Sequence, residues 1–390
     1  MERICVLLNG GIIYDSRVIK VIRSLSKFFL VDLYYIKGTK RDKNLFNENV
    51  TLFSIEYNTN SFRNKLIRHT FFYNEFNFLE RYVLSKKFSY DYIYCNDLPT
   101  LKAGVLLKKK LSAKLIYDSH EIFIGTLNQF FPDTSNQIKK ILFASSLKIM
   151  TFLGNYAELK MIKKIDFFIT TNISFKEYFQ KKFNYENIRC VMNCPEYKIL
   201  NEHFDFRSKY NLNSSDKIFI FQGMLNKGRA LSKLIEAQPY CNENIKLFIL
   251  GDGQLRNELE NIVKKLNLEN KVFFIDKVPS NELLYYTKGA DFGINLQEAI
   301  NISKFLAPAN KLFEYIHANI PIVASDVPEN RRIFDQYNVG ILTNNDIESI
   351  SNAINKIANM DRKIFIENCK KAALEYNWKN QEKVLLEIFK

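Results

Sequence analysis

Short apolar runs rich in β-branched and aromatic residues alternate with helix-periodic stretches along the whole chain. RICVLLN (3–9), FLVDLYYI (29–36), VTLFSI (50–55), DYIYCN (91–96), KLIYDSH (114–120), DFFITT (166–171) and IRCVMN (188–193) read as strands. Between them, Ser16 to Phe28 sets Val18, Ile19, Ile22 and Leu25 on one helical stripe. Residues 61–87, the run ending at Lys110, and Gln137 to Lys164 also read as helical. The pattern then starts again. KIFIFQG (217–223), IKLFILG (245–251), KVFFID (271–276), ADFGINL (290–296), IPIVAS (320–325) and VGILT (339–343) are strands, each followed by a helix or a turn. Residues 362–390 are helical, with a break near Asn377–Trp378.

Strands this apolar on both faces belong in parallel sheets covered by helices. Two runs of alternating elements predict an α/β protein of two doubly wound, Rossmann-like domains facing across a cleft. The joint falls in NCPEYKILNEHFDFRS, where the periodicity lapses. The expected division is 1–197, 198–375 and a closing segment, 376–390, that returns to the first domain. Ligands of such sheets bind at the C-terminal strand ends, so residues just after strands are the ones to inspect.

Composition narrows the class. The chain has 390 residues, 47% hydrophobic and 25% charged, the balance of a globular protein. No apolar run reaches the roughly 18 residues that span a bilayer, and MERICVLLNGG lacks the apolar core of a signal peptide. A cytoplasmic protein is therefore expected. The six cysteines are scattered; Cys190 and Cys194 have no second Cys/His pair beside them and read as buried thiols, so no metal site is expected. The net charge of +14 is uneven: residues 1–195 hold 30 of the 56 basic residues and 17 of the 42 acidic ones. A basic first half points to an anionic substrate, an anionic membrane surface or nucleic acid.

The chemistry-bearing residues cluster in the second half. GMLNKGRALSKLIEA follows its first strand, with Gly223 and Gly228 loosening the backbone and Lys227 and Arg229 near the next helix start, a combination suited to an anion. Gly251 and Gly253 of GDGQL let a ligand approach the backbone, although the dinucleotide fingerprint is incomplete. In PANKLFEYIHANIPIVASDVPEN, Asn310 is placed to cap a helix, with Lys311 in its first turn and Glu314 three residues on. A cation at that end opposes the helix dipole. A pyrophosphate ahead of the helix would explain Lys311, and a ribose diol would explain Glu314. The pair reads a sugar nucleotide. In the first half, His120 ends a strand in YDSHE and is better placed than His69, His203 or His317; Asp97 and Glu121 are weaker candidates.

These motifs, in this order, resemble a glycosyltransferase of the GT-B fold, family 4 (group 1) type. FQGMLNKGRALSKLIEA, LFILGDGQL, VFFIDKVPSNELLYYTKGADFGINL and NKLFEYIHANIPIVASDVPE carry the resemblance best, joined by YDSRVIKVIRSLSK, DYIYCNDLPTLKAG, KLIYDSHEIF, VMNCP and NWKNQEKVLLEIF. The resemblance implies a nucleoside-diphosphate sugar on the second domain, with Arg229 and Lys311 on the diphosphate and Glu314 on the ribose. It implies that the backbone at Val278 meets the base, that the Gly10–Gly11 loop lies under the donor, and that His120 sits near the transferred sugar. One departure stands out. Many relatives have Glu-x7-Glu ending at the ribose-binding glutamate, and eight residues before Glu314 this chain has Leu306.

The resemblance implies a hexosyl transfer with retention; no Asp-x-Asp occurs, so no metal is required, and Arg229 and Lys311 would stabilise the leaving diphosphate. The acceptor, a glycan or a lipid-linked glycan for cell-surface polysaccharide, is expected on the basic first domain. There SFRNKLIRHTFFYNEFNFLERY (61–82) and GTLNQFFPDTSNQIKK (125–140) mix basic and aromatic residues, as on a surface resting on the inner face of the plasma membrane. Three alternatives stand beside this reading: a GT-B sugar-nucleotide epimerase, for which only His120 offers acid/base chemistry; a basic nucleic-acid-binding protein, for which no recognition motif is present; and a fold relative that binds nucleotide without catalysis.

Overall fold

The computed structural model describes residues 1–36, 38–55, 77–130, 135–308 and 310–390. Most of the stretch 61–82, and residues 131–134 of the loop 125–140, fall outside them. The start of that loop is a 3-10 turn, Phe123–Phe130.

The chain divides into two units, Met1–Met192 with Glu382–Lys390, and Asn193–Gln381. The first contains strands β1 (Arg3–Leu8), β2 (Leu30–Ile36), β3 (Val50–Ile55), β4 (Tyr92–Asn96), β5 (Lys114–Ser119), β6 (Phe167–Thr170) and β7 (Ile188–Cys190). They form one parallel sheet in the order β3-β2-β1-β4-β5-β6-β7. The second contains β8 (Lys217–Gln222), β9 (Ile245–Leu250), β10 (Val272–Ile275), β11 (Phe292–Asn295), β12 (Ile322–Ser325) and β13 (Gly340–Thr343), also parallel, in the order β10-β9-β8-β11-β12-β13.

Both sheets are doubly wound because each strand returns through a helix, and such crossovers place helices on both faces. The central strands are therefore dry on both sides. Cys5, Val6, Leu115, Ile116, Phe219, Ile220, Phe248 and Ile249 have no exposed surface. In each sheet the strand order reverses once, between β1 and β4 and between β8 and β11. Connections leave that point in opposite directions and open a crevice at the C-terminal strand ends. In the second unit the reversal is held by Phe219 stacked on Phe292, 4.5 Å apart.

The closing residues pack where their apolar side chains find a partner. Phe389 lies 5.2 Å from the ring of Phe29 and 4.9 Å from that of Tyr92, and Lys27 pairs with Glu382 at 2.6 Å. These contacts place Glu382–Lys390 in the first unit; the sequence had put the division at 375.

Candidate donor and acceptor sites

In the second unit, Lys311 is the second residue of the helix Asn310–Ala318, 4% exposed. The helix begins at Asn310, so Asn310 belongs to its first turn and does not cap it. The Lys311 ammonium lies 3.6 Å over the ring of Phe221, near the end of β8. Among the described residues its Nζ has no hydrogen-bond partner. Burial pushes its pKa well below the ordinary lysine value, and Arg229 pushes it the same way against a smaller opposing effect of Glu314. Arg229 is half-buried in the turn before the short helix Leu231–Glu236, and burial lowers its pKa too. Two cations that repel each other, one with nothing to donate to, form a hole for an anion.

Glu314 stands one turn along the same helix and is held from behind. Gln222, the last residue of β8, donates from Nε2 to Glu314 Oε2 at 2.6 Å and accepts at Oε1 from Thr287 Oγ1 at 2.7 Å. The backbone N–H of Gln222 donates to the Tyr315 hydroxyl at 3.2 Å. That hydroxyl in turn lies 3.2 and 3.1 Å from the carbonyl oxygens of Ile220 and Ile294, on the two strands that flank the reversal. Gly293 leaves room for the Tyr315 ring, since a Cβ there would come within 2.5 Å of it. Asn295, at the end of β11, is wholly buried with neither side-chain atom hydrogen-bonded among the described residues.

The glycine turns run beside this floor. Gly223 has φ +127° and Gly251 φ +145°. A Cβ on Gly251 would lie 2.0 Å from the carbonyl oxygen of Gly223, so only glycine brings the two turns together. A Cβ on Gly253 would lie 2.6 Å from the carbonyl oxygen of Leu225, whose N–H donates to Asp252 O at 2.9 Å. Val278 is half-buried in the loop after β10. Leu306 ends the five-residue helix Ile302–Leu306, and Glu298 pairs with Lys233 at 3.1 Å. Lys227 is exposed.

The first unit has its own polar centre at the ends of β4 and β5. Arg17 donates to both carboxylate oxygens of Asp118, at 3.1 and 2.7 Å, and to the carbonyl of Val191 at 2.5 Å. Tyr94 donates to Asp118 at 2.7 Å. The His120 ring lies between two carboxylates: Nδ1 is 3.3 Å from Asp97 Oδ2, and Nε2 is 3.3 Å from Asp118 Oδ2 but outside hydrogen-bonding geometry. Burial works against a charged ring, yet Asp97 and Asp118 outweigh it and raise the pKa to about 9. His120 is therefore an imidazolium near neutral pH and has no lone pair to take a proton. Asp97 opens the helix Asp97–Leu111 at φ +59° and accepts the His120 N–H at 2.8 Å. Glu121 is half-buried, its carbonyl accepting from Ser119 Oγ at 2.9 Å. The Gly10–Gly11 turn follows β1, with Gly10 at φ +153° and open space where its Cβ would be.

The structure thus gathers Lys311, Arg229 and Glu314 in one place. It gathers His120 and Asp97 in another. Sequence reasoning missed the residues behind them: Gln222, Thr287 and Tyr315 in the second unit, and Arg17, Tyr94 and Asp118 in the first. Gln222 and Asp118 had only their place near a strand end as a signal and Tyr315 its place beside Glu314, while Arg17 and Thr287, inside helices, and Tyr94, in mid-strand, had none. Among the described residues no group of three His, Cys, Asp or Glu side chains could hold a metal.

Comparison with known proteins gives a consistent picture. Residues 202–374 match the family described as glycosyl transferases group 1. An uncharacterised glycosyltransferase of Methanocaldococcus jannaschii is 26% identical over 317 residues, 77% of this chain and 75% of that protein. The N-acetylgalactosamine-N,N'-diacetylbacillosaminyl-diphospho-undecaprenol 4-alpha-N-acetylgalactosaminyltransferase of Campylobacter jejuni is 31% identical over 135 residues, 34% of this chain and 35% of that enzyme. Among solved structures, Anabaena HepE in complex with UDP and glucose aligns over 100% of this chain and 99% of its own, with a TM-score of 0.74 and 15% identity. WaaG, a glycosyltransferase involved in lipopolysaccharide biosynthesis, covers 100% and 99% with a TM-score of 0.66 and 14% identity. The fold is that of the GT-B glycosyltransferases, and residues 202–374 match the group 1 glycosyl transferase family.

Proposed function

We propose that the protein transfers a hexose-type sugar from a nucleoside diphosphate to a glycan or lipid-linked glycan acceptor, with retention of configuration, in the building of a cell-surface polysaccharide. The observation that carries this reading is the buried Lys311 ammonium without a hydrogen-bond partner, beside Arg229 and one helical turn from a Glu314 held in place by Gln222. A diphosphate gives Lys311 and Arg229 an acceptor, and a ribose diol gives Glu314 two donors. As the glycosidic bond breaks, negative charge grows on the departing diphosphate. The two cations are already in place and already stripped of water, so they stabilise that charge with no reorganisation. They supply this without a metal ion. The donor β-phosphate then takes the acceptor proton.

UDP is the favoured nucleotide, with GDP the alternative, because HepE binds UDP in the same fold. A lipid-linked acceptor is favoured because the Campylobacter relative acts on a diphospho-undecaprenol-linked sugar. It would meet the basic first unit at the inner face of the plasma membrane. No described helix is long and apolar enough to cross a membrane. Thermal midpoints with UDP, GDP and their sugars, on wild type and Arg229→Ala, test the donor site. Stabilisation by one nucleotide that is lost in the variant supports it. No stabilisation by any of them overturns it.

A further inference from the structure

The helix Gln137–Ile162 has an outer face that the folded unit leaves uncovered. Ile138, Leu142, Ile149, Phe152, Tyr156 and Leu159 are each 37–72% exposed. With Ser145 they follow alternating steps of four and three residues, so they form one stripe that winds slowly round the helix. It is about 32 Å long at 1.5 Å per residue. The opposite side, with Met150, Gly154, Ala157 and Ile162, is buried against the unit. Scattered exposed apolar residues need no explanation, but a continuous seam of large ones does.

The charges beside the seam select its partner. Lys139, Lys148 and Lys160 are exposed on the flanks of the seam, and Lys140 is exposed on the far side of the helix. Its single acid, Glu158, is 1% exposed and paired with Lys182 at 2.7 Å. Heptad pairing with a second copy would offer these lysines no acid, and would put Ser145 in the seam. An anionic lipid surface suits both features. The apolar seam and the Phe152 and Tyr156 rings enter the boundary layer, while the lysines reach the headgroup phosphates. No described helix is long and apolar enough to cross a membrane, and an apolar stripe along one side suits a helix lying in the plane of the surface.

We propose that the outward face of Gln137–Ile162 docks the protein on an anionic membrane surface. This deepens the lipid-linked acceptor reading by naming the surface it needs, and it is tested without donor or acceptor so that either idea can fail alone. The full chain is sedimented with vesicles of phosphatidylcholine alone or of an equal mixture with phosphatidylglycerol. Binding is expected to the mixed vesicles and not to the neutral ones. The double variant Ile149→Ser/Phe152→Ser should weaken it on the order of tenfold per residue, and Lys139→Gln/Lys148→Gln about fivefold per residue. These side chains are exposed, so circular dichroism and the thermal midpoint should match wild type. Equal binding by the apolar double variant overturns the proposal, as does a wild type that ignores anionic vesicles. So does a wild-type dimer that the apolar variant abolishes without any vesicle binding, which would assign the seam to a second copy.

Discussion

Replacing Lys311 by methionine separates the cost of the empty site from its use. In the free protein the ammonium is buried with no hydrogen-bond acceptor. An unpartnered buried polar group costs about 1–3 kcal/mol. The Phe221 face beneath it, 3.6 Å away, returns about 0.5–2 kcal/mol. Methionine keeps most of the stem packing and needs no partner. Lys311→Met should therefore stabilise the free second unit by about 1 kcal/mol, or about 2–4 °C in its thermal midpoint. The same change should erase the response to nucleotide, which for wild type is about 2.7 kcal/mol at a hundred times the dissociation constant. The pH dependence has a definite sign. The folded pKa lies below the unfolded one, so the unfolded chain binds the extra proton. Wild-type stability should rise with pH up to about 10.4, and the advantage of methionine should shrink over that range. Scanning calorimetry of both proteins, with and without UDP or GDP, measures all of this. A methionine variant that is less stable at every pH, or that keeps its nucleotide response, would refute the reasoning.

Other outcomes follow from the same geometry. Gln222→Leu removes the hydrogen bond that fixes Glu314, and a bond to a charged group contributes about 1.5–3 kcal/mol. Donor KM should rise about ten- to a hundredfold with a smaller change in kcat, and equal losses in both would contradict a positioning role. Arg17→Met removes the bidentate ionic partner of the buried Asp118 carboxylate, leaving it the His120 ring and the Tyr94 hydroxyl, and should cost about 3–5 kcal/mol in a denaturant titration. His120 has its pKa raised to about 9, so its stabilising contribution is complete below about 6.5 and is lost as pH rises through about 9. His120→Gln should flatten the thermal midpoint against pH in that window. Gly251→Ala should destabilise strongly, because its Cβ would overlap the Gly223 carbonyl; a folded variant with an unchanged midpoint would contradict the close approach of the two turns.

The sequence by itself determined the two parallel sheets. The IFIF of KIFIFQ and the LFIL of IKLFIL are apolar on both faces, and only a strand covered on both sides buries them all. It also exposed Lys311 and Glu314, because a cation at a helix start is locally unfavourable and invites a ligand. It could not show that Glu314 is gripped by Gln222, which lies 92 residues away at the end of a strand. Nor could it show that Arg17 reaches Asp118 across 101 residues, or that His120 is trapped between two carboxylates. Those side chains are ordinary in their local context. Their roles arise from the strand order, which alone sets the ends of β8 and β11, or of β4 and β5, side by side. The seam on Gln137–Ile162 divides in the same way: its steps of four and three are written in the sequence, but an apolar stripe normally faces the core. Only the packing of Met150, Gly154 and Ala157 against the unit shows that this one points outward.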